Sequence, residues 1–221
     1  MTRGTVTSNA LAFTAGYVDT VGFVTLFGLF MAHVTGNFVL IGSGLVHPSG
    51  GVTLKLLSFP AFIAAVAASR LLGLAAERSG RSAARPLLWL QIVLLTACML
   101  CGWRAQPIVD PVAPAVLLTG IFGAAAMGVQ NAAARLAFGD MSPTTVMTGN
   151  VTQLVIGLVD LLRGAADAGM RERIRKLGWP VLTFACGAIC GALVCERVSL
   201  WALALPLVIL CGLALTSPAE N

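Results

Sequence analysis

Asp19 is the residue of this 221-residue chain best able to do chemistry, because it is an acid set inside an apolar run from Val6 to Phe30. A carboxylate at the centre of a membrane span costs about 2.5–3.5 kcal/mol and usually faces a bundle interior or a wet cavity. Asp19 therefore offers a proton or cation coupling group, or a ligand contact; the plainer reading is a buried acid held by a helix partner. His33 can titrate near neutral pH or hydrogen-bond a solute, and the plainer reading is a local partner at a helix break. Two residues on stands Thr35-Gly36-Asn37, and the same triplet returns as Thr148-Gly149-Asn150.

The triplets belong to a longer duplication. FMAHVTGNFVLIGSGL, ending at Leu45, returns as TVMTGNVTQLVIGL, ending at Leu158. Upstream, Gly16-Tyr17-Val18-Asp19 matches Gly128-Val129-Gln130-Asn131; downstream, Phe59-Pro60 matches Trp179-Pro180. The equivalent of Asp19 is thus Asn131, beside Gln130, and Val146 takes the place of His33. One copy offers an ionisable group where the other offers an amide. This suits a site between repeats, and equally suits interhelical hydrogen bonding. In the triplet, Thr or Asn can cap the helix that follows, and Gly36 and Gly149 permit backbone that a side chain would strain. If the copies are inverted, their two short helices aim N-termini at a common centre, where an anionic or polar solute would be favoured.

These residues need elements to hold them, and composition names the class. The chain is 57% hydrophobic and 10% charged, against about 25% charged in soluble domains. It reads as a single all-α membrane domain over residues 1–221, with repeats at 5–103 and 112–216. Expected spans are Val6–Phe30, Leu56–Ala76, Leu87–Trp103, Val112–Phe138, Trp179–Cys195 and Leu200–Leu215. Phe38–Val46 and Val151–Leu162 are too short to cross and read as re-entrant half-helices.

Six crossings with both termini inside place Arg3, then Arg78, Arg81 and Arg85, then Arg163, Arg171, Arg173, Arg175 and Lys176 on the cytoplasmic side, leaving Lys55, Arg104 and Arg197 outside. Eight crossings would put the second cluster outside. Three crossings per repeat, an odd number, make the repeats inverted. The +5 net charge is topology rather than nucleic-acid binding, and Asp19 interrupts the N-terminal run, so no removable signal peptide is expected.

Other features have plainer readings. Arg70 lies seven residues before Glu77 and Arg135 soon before Asp140, so each reads as snorkelling to an interface; the sharper reading pairs one with Asp19. Gln91 and Gln153 read as inward packing. The cysteines read as apolar packing, with no metal site or disulfide. Gly187 and Gly191 in GAICG allow close helix approach, within the bundle or in a homodimer. Val159–Lys176 reads as a cytoplasmic connector lying on anionic lipid.

AGYVDTVGF with HVTGN, and the second copy MSPTTVMTGNVTQL, resemble the YoaK family of bacterial membrane proteins, defined by a domain of unknown function. The resemblance implies a bacterial inner-membrane protein of this architecture and supplies no substrate. The residues point to a small secondary transporter or permease for a small, anionic or polar solute, with the bilayer and that solute as partners and without cofactor or metal. The alternative is a non-transporting assembly or sensory protein. An enzyme is not expected, since HExxH and GxSxG are missing, and no Walker A lysine motif supports an ATP engine.

Overall fold

The computed structural model describes residues 3–47, 50–139, 141–164 and 169–217, and every regular element among them is helical. The order is α1 (Arg3–Thr25), α2 (Gly36–Val46), α3 (Val52–Arg78), α4 (Ala84–Arg104), α5 (Pro114–Leu136), α6 (Thr148–Leu162), α7 (Met170–Val198), a 3-10 turn (Ser199–Leu203) and α8 (Ala204–Thr216).

Four helical stretches are long and apolar enough to cross a membrane: Val52–Arg78, Ala84–Arg104, Pro114–Leu136 and Met170–Thr216. The last has 47 residues and would measure about 70 Å if straight, over twice the hydrocarbon thickness of a bilayer. Ser199, at φ 51°, interrupts it, and α8 packs on α4 and α1 instead of prolonging α7. The chain is a multi-pass helical membrane protein. Its surface fits that solvent: Leu71, Val93, Ile189 and Leu193 are exposed, while Asn37, Ser58, Gln91, Gln130, Thr144 and Asn150 are buried. Lipid cannot hydrogen-bond polar groups, so these turn inward to find partners.

Glycine decides which helices meet. A Cβ on Gly16 would collide with the Phe184 carbonyl, and one on Gly187 with the Phe13 carbonyl; at Gly191 it would lie 2.7 Å from Tyr17 O. These contacts lay α1 against α7 at backbone distance, running the same way. On the other side, a Cβ on Gly128 would lie 2.9 Å from Phe62 O, and Gly73 faces Leu136, so α3 and α5 also run together. The first helix of each half therefore packs on the third helix of the other. GAICG is used here within the chain, against α1. Without a hydrophobic driving force in lipid, such close approach supplies the dispersion contacts that hold helices together.

Pro60 and Pro180 stand inside α3 and α7. Proline removes a helix hydrogen bond to the carbonyl four residues earlier. For Pro180 that carbonyl is Lys176 O, and the Ser142 hydroxyl donates to it at 3.3 Å.

The elements depart from the sequence reading in three places. The run Val6–Phe30 is not one helix: α1 ends at Thr25, with Phe27 and Gly28 at φ 52° and 74°, because the chain turns back toward Asp19. The helix expected at Trp179–Cys195 begins nine residues earlier, at Met170. The connector Val159–Lys176 accordingly is no separate surface element; its ends belong to α6 and α7, and residues 165–168 lie outside the described residues. Hydrophobic spacing explains this: Met170 and Ile174 pack on Gly157 of α6, as Leu154 does on Gly178, and Glu172 pairs with Arg175 at 3.4 Å on the outer face.

Candidate functional site: two helix breaks of one design

After Thr25 the chain leaves the helix, folds back and starts α2. The carboxylate of Asp19, 5% exposed, receives the returning segment. The Ala32 N–H donates to Oδ1 at 2.7 Å and the His33 N–H to the same oxygen at 3.3 Å. Oδ2 lies 3.0 Å from His33 Nδ1, and an ionised carboxylate there requires Nδ1 to carry a proton. Backbone and imidazole donors thus offset the cost of burying the acid. The His33 ring sits edge-on to Phe30 and to Phe184 of α7, with centroids 6.3 and 6.0 Å apart. Phe30 stacks obliquely on Phe23 at 4.8 Å. The first break is therefore filled by aromatic rings. Neither Arg70 nor Arg135 pairs with Asp19; Arg70 reaches Glu77 at 2.8 Å on the exposed flank.

The second break repeats the pattern with neutral groups. Thr145 Oγ1 donates to Asn131 Oδ1 at 2.6 Å, across the same 14-residue interval that separates Asp19 from His33. The counterpart of His33 is therefore Thr145, not Val146, because the second loop carries one more residue between this contact and its triplet. Asn131 turns its amide toward its own helix, donating to Met127 O at 3.0 Å.

The triplets do not cap by side chain. Neither Thr35 nor Met147, the residues that precede the two helices, makes a side-chain cap bond. Instead each asparagine reaches seven residues back. Asn37 donates to Phe30 O at 2.8 Å and accepts from Phe30 N–H at 2.9 Å, as a peptide group would. Asn150 donates to Pro143 O at 2.8 Å, and proline has no N–H to return. Both asparagines are buried, whereas Thr35, Thr148 and Gly149 are exposed and Gly36 is half-buried. The glycines are helical, with no positive φ; Gly36 faces the Phe30 ring, 3.2 Å from where a Cβ would stand, and Gly149 faces open space. α2 packs on α3 and α6 on α7, and the two short helices do not touch. The triplets build their own loops rather than one shared centre.

Gln130, fully buried, is a junction. It accepts from Gln91 Nε2 at 2.7 Å and donates to Leu11 O at 2.8 Å and Thr144 Oγ1 at 3.4 Å, joining α4, α1 and the second break.

The breaks differ most in space. Beside the second lies a cavity of about 400 Å3 lined by Asn131, Arg135, Pro143, Thr144, Thr145 and Val146 among others. Arg135 stands four residues after Asn131, on the same helix face; four residues after Asp19 stands Phe23. Arg135 is exposed and forms no ion pair among the described residues, and Asp140, its expected neighbour, lies outside them. A smaller cavity of about 210 Å3 adjoins across Met141, between α1 and α7, and includes Ser8, Asn9 and Lys176. Ser8 Oγ and Asn9 Oδ1 are buried there without a hydrogen-bond partner among the described residues. Thr144 and Thr145 were not singled out by sequence reasoning; the 14-residue interval from Asn131, matching Asp19 to His33, is the signal that finds them.

A family model described as "Protein of unknown function (DUF1275)" matches residues 8–216. No curated protein and no solved structure matches the chain.

Proposed function

We propose a transport function from the premise that the chain belongs to the DUF1275 family, whose description assigns no activity, so that function has to be read from residues. The protein is a small secondary transporter or permease for a small polar or anionic solute, whose path runs between two inverted repeats. The observation that carries this reading is the pair of helix breaks: same intervals, same asparagine clamp, one titratable and one neutral. Broken backbone at membrane depth is tolerated only where protein or a wet cavity satisfies it, and paired broken helices in repeated halves are a transporter device.

Inversion is supported by direction. Leu11 of α1 meets Gln130 of α5, while Gly22 meets Gly123 through Met31, so these equivalent helices run oppositely. In this reading α1, α3, α4, α5, α7 and the 3-10 turn continued by α8 (Ser199–Leu203 and Ala204–Thr216) are six crossings, and α2 and α6 are re-entrant. Arg78 and Arg81, both exposed, and the half-buried Arg85 then share the cytoplasmic side with exposed Arg171, Arg173 and Arg175, and both termini are cytoplasmic in a bacterial inner membrane. Lys55 does not serve as a free outer charge: it is buried, with Nζ donating to Phe27 O at 2.6 Å.

Topology is tested with single cysteines at Arg81 and Val109, both exposed, in a background lacking native cysteines; labelling of position 81 from outside the cell and of position 109 only from within defeats the inverted reading. Function is tested by thermal stabilisation of purified protein across amino acids, organic acids, sugars and ammonium, followed by flux into proteoliposomes. Stabilisation by one class, with flux of that class, is expected. If no class stabilises and none crosses, the assembly or sensory reading replaces this one.

A further inference from the structure

Pro60 and Pro180 stand at the same place in the two halves, yet the helical turns that precede them are held very differently. By the match of Phe59-Pro60 with Trp179-Pro180, Leu54, Lys55 and Ser58 correspond to Ile174, Arg175 and Gly178. In α3 these turns are pinned: Leu54, Lys55 and Ser58 are 0%, 3% and 0% exposed. Leu54 lies over Gly120 of α5, Lys55 Nζ donates to Phe27 O, and the Ser58 hydroxyl receives Asn37 Nδ2 at 3.4 Å. In α7, Ile174 and Gly178 are half-buried and Arg175 is exposed; before Pro180 only Leu177 is buried. What these turns carry is α6: Gly157 faces Met170 and Ile174, and Leu154 faces Gly178. α6 packs on no other helix among the described residues. Beyond Pro180 the helix is locked to α1, where Gly16 admits the Phe184 carbonyl, Gly187 the Phe13 carbonyl and Gly191 Tyr17 O. Before it, a cavity of about 210 Å3 opens between Ser8 and Asn9 of α1 and Lys176 and Pro180 of α7. The Ser142 hydroxyl, at an exposed position, ties the second break to these turns through Lys176 O.

We propose that α6 and the α7 turns Met170–Trp179 swing as one arm about Pro180, and that this arm is the moving gate on the cytoplasmic side, while the equivalent turns of α3 on the outer side stay fixed. Pro180 leaves Lys176 O without its helix donor, so the axis is weakest against bending there. The antiparallel register of Leu154 on Gly178 and Gly157 on Ile174 brings the start of α6 beside Pro180. Both limbs of the arm therefore turn at one level, and Asn150 holds the start of α6 to Pro143 O. The cavity leaves room for the arm to close on α1, and departure of the arm opens that cavity to the cytoplasm. Hinges of this kind are a few residues between rigid parts. The turns Met170–Trp179 make a lever of about 15 Å, so a change of bend of about 20° moves its tip by about 5 Å. The purpose of the gate rests on the transport reading; the motion itself is measured without any solute.

Spin-label pairs in the full-length protein, cleared of native cysteines and reconstituted in nanodiscs, read the motion as distance distributions. Labels at Arg173 and at Val6 of α1 span the arm; labels at Leu57 of α3 and Leu118 of α5 span the equivalent outer turns, and all four positions are exposed. The Arg173 to Val6 pair should show two distances, or one distribution wider than that of the outer pair, by about 5 Å. Pro180→Ala restores the N–H that Lys176 O lacks and should collapse this distribution to a single narrow distance, whereas Pro60→Ala should leave the outer pair unchanged. Ser142→Ala releases the tie on Lys176 O and should shift the population toward the longer distance, which keeps the hinge testable should Pro180→Ala fail to accumulate. Three results overturn the proposal: the arm pair is as narrow as the outer pair, the outer pair is as broad as the arm pair, or neither Pro180→Ala nor Ser142→Ala alters the arm pair. Arm motion without flux of any solute class sinks the transport reading and leaves the hinge standing; flux with a fixed arm does the reverse.

Discussion

Replacing Asp19 tests whether its carboxylate holds the first break in place. Asp19→Ala removes the acceptor of the Ala32 and His33 N–H groups and the partner of the His33 ring. Ala32 is 4% exposed, so water cannot readily replace the lost acceptor. A buried donor left unsatisfied costs about 1–3 kcal/mol, and two of them give a destabilisation of about 3–4 kcal/mol, after allowing for relief of the buried charge. Asp19→Asn behaves differently. It keeps an oxygen for the two N–H groups, and its new amide can donate to His33 Nδ1 once the imidazole moves its proton to Nε2. Only the charge assistance is lost, a cost of about 1–1.5 kcal/mol. Equilibrium unfolding in mixed micelles measures both, and a cycle with His33→Ala should return a coupling of about 1.5 kcal/mol with Asp19. If Asp19→Ala and Asp19→Asn cost the same, or each costs less than about 0.5 kcal/mol, the carboxylate does not anchor the returning chain and its assignment is wrong.

Three further expectations follow from the same contacts. Asn37→Ala should destabilise more than Asn150→Ala by about one hydrogen bond, roughly 1 kcal/mol, because Phe30 both gives and accepts while Pro143 only accepts; equal losses would deny the asparagine clamp its backbone-like role. Gly187→Val places a side chain into the Phe13 backbone, and overpacking of about 1–3 kcal/mol or more should lower the yield of monodisperse protein, whereas Gly212→Ala, with open space around it, should not. Lys55→Ala leaves Phe27 O without its donor and should cost about 1–3 kcal/mol, read by the same unfolding assay; a neutral result would mean that Lys55 is a surface charge after all.

Much of the architecture is legible in the sequence because the signals that carry it are local. Apolar length marks α3, α4 and α5, and the recurrence of Thr-Gly-Asn marks the starts of α2 and α6. The end of α1 is hidden because Leu26, Leu29 and Phe30 are as apolar as the helix before them; what stops the helix is a turn at Phe27 and Gly28 that only tertiary contacts, such as Lys55 on Phe27 O, make worthwhile. The start of α7 is hidden for the opposite reason, since its basic first turns look like a loop until α6 is there to cover Met170 and Ile174.

The site was half visible on the same grounds. Aligning the triplets pairs His33 with Val146, yet the residue that meets Asn131 is Thr145, because one extra residue in the second loop is absorbed between the contact and the triplet. Composition at a single position cannot show this; the interval between two partners can. The contrast between Phe23 and Arg135 becomes informative only once both are placed four residues beyond the polar anchor of their helix, one beside stacked rings and the other on an open cavity. Two copies of one device that differ in this way do not need the same occupant. The first is anchored by a carboxylate, and the second by an amide and a threonine hydroxyl in the equivalent place.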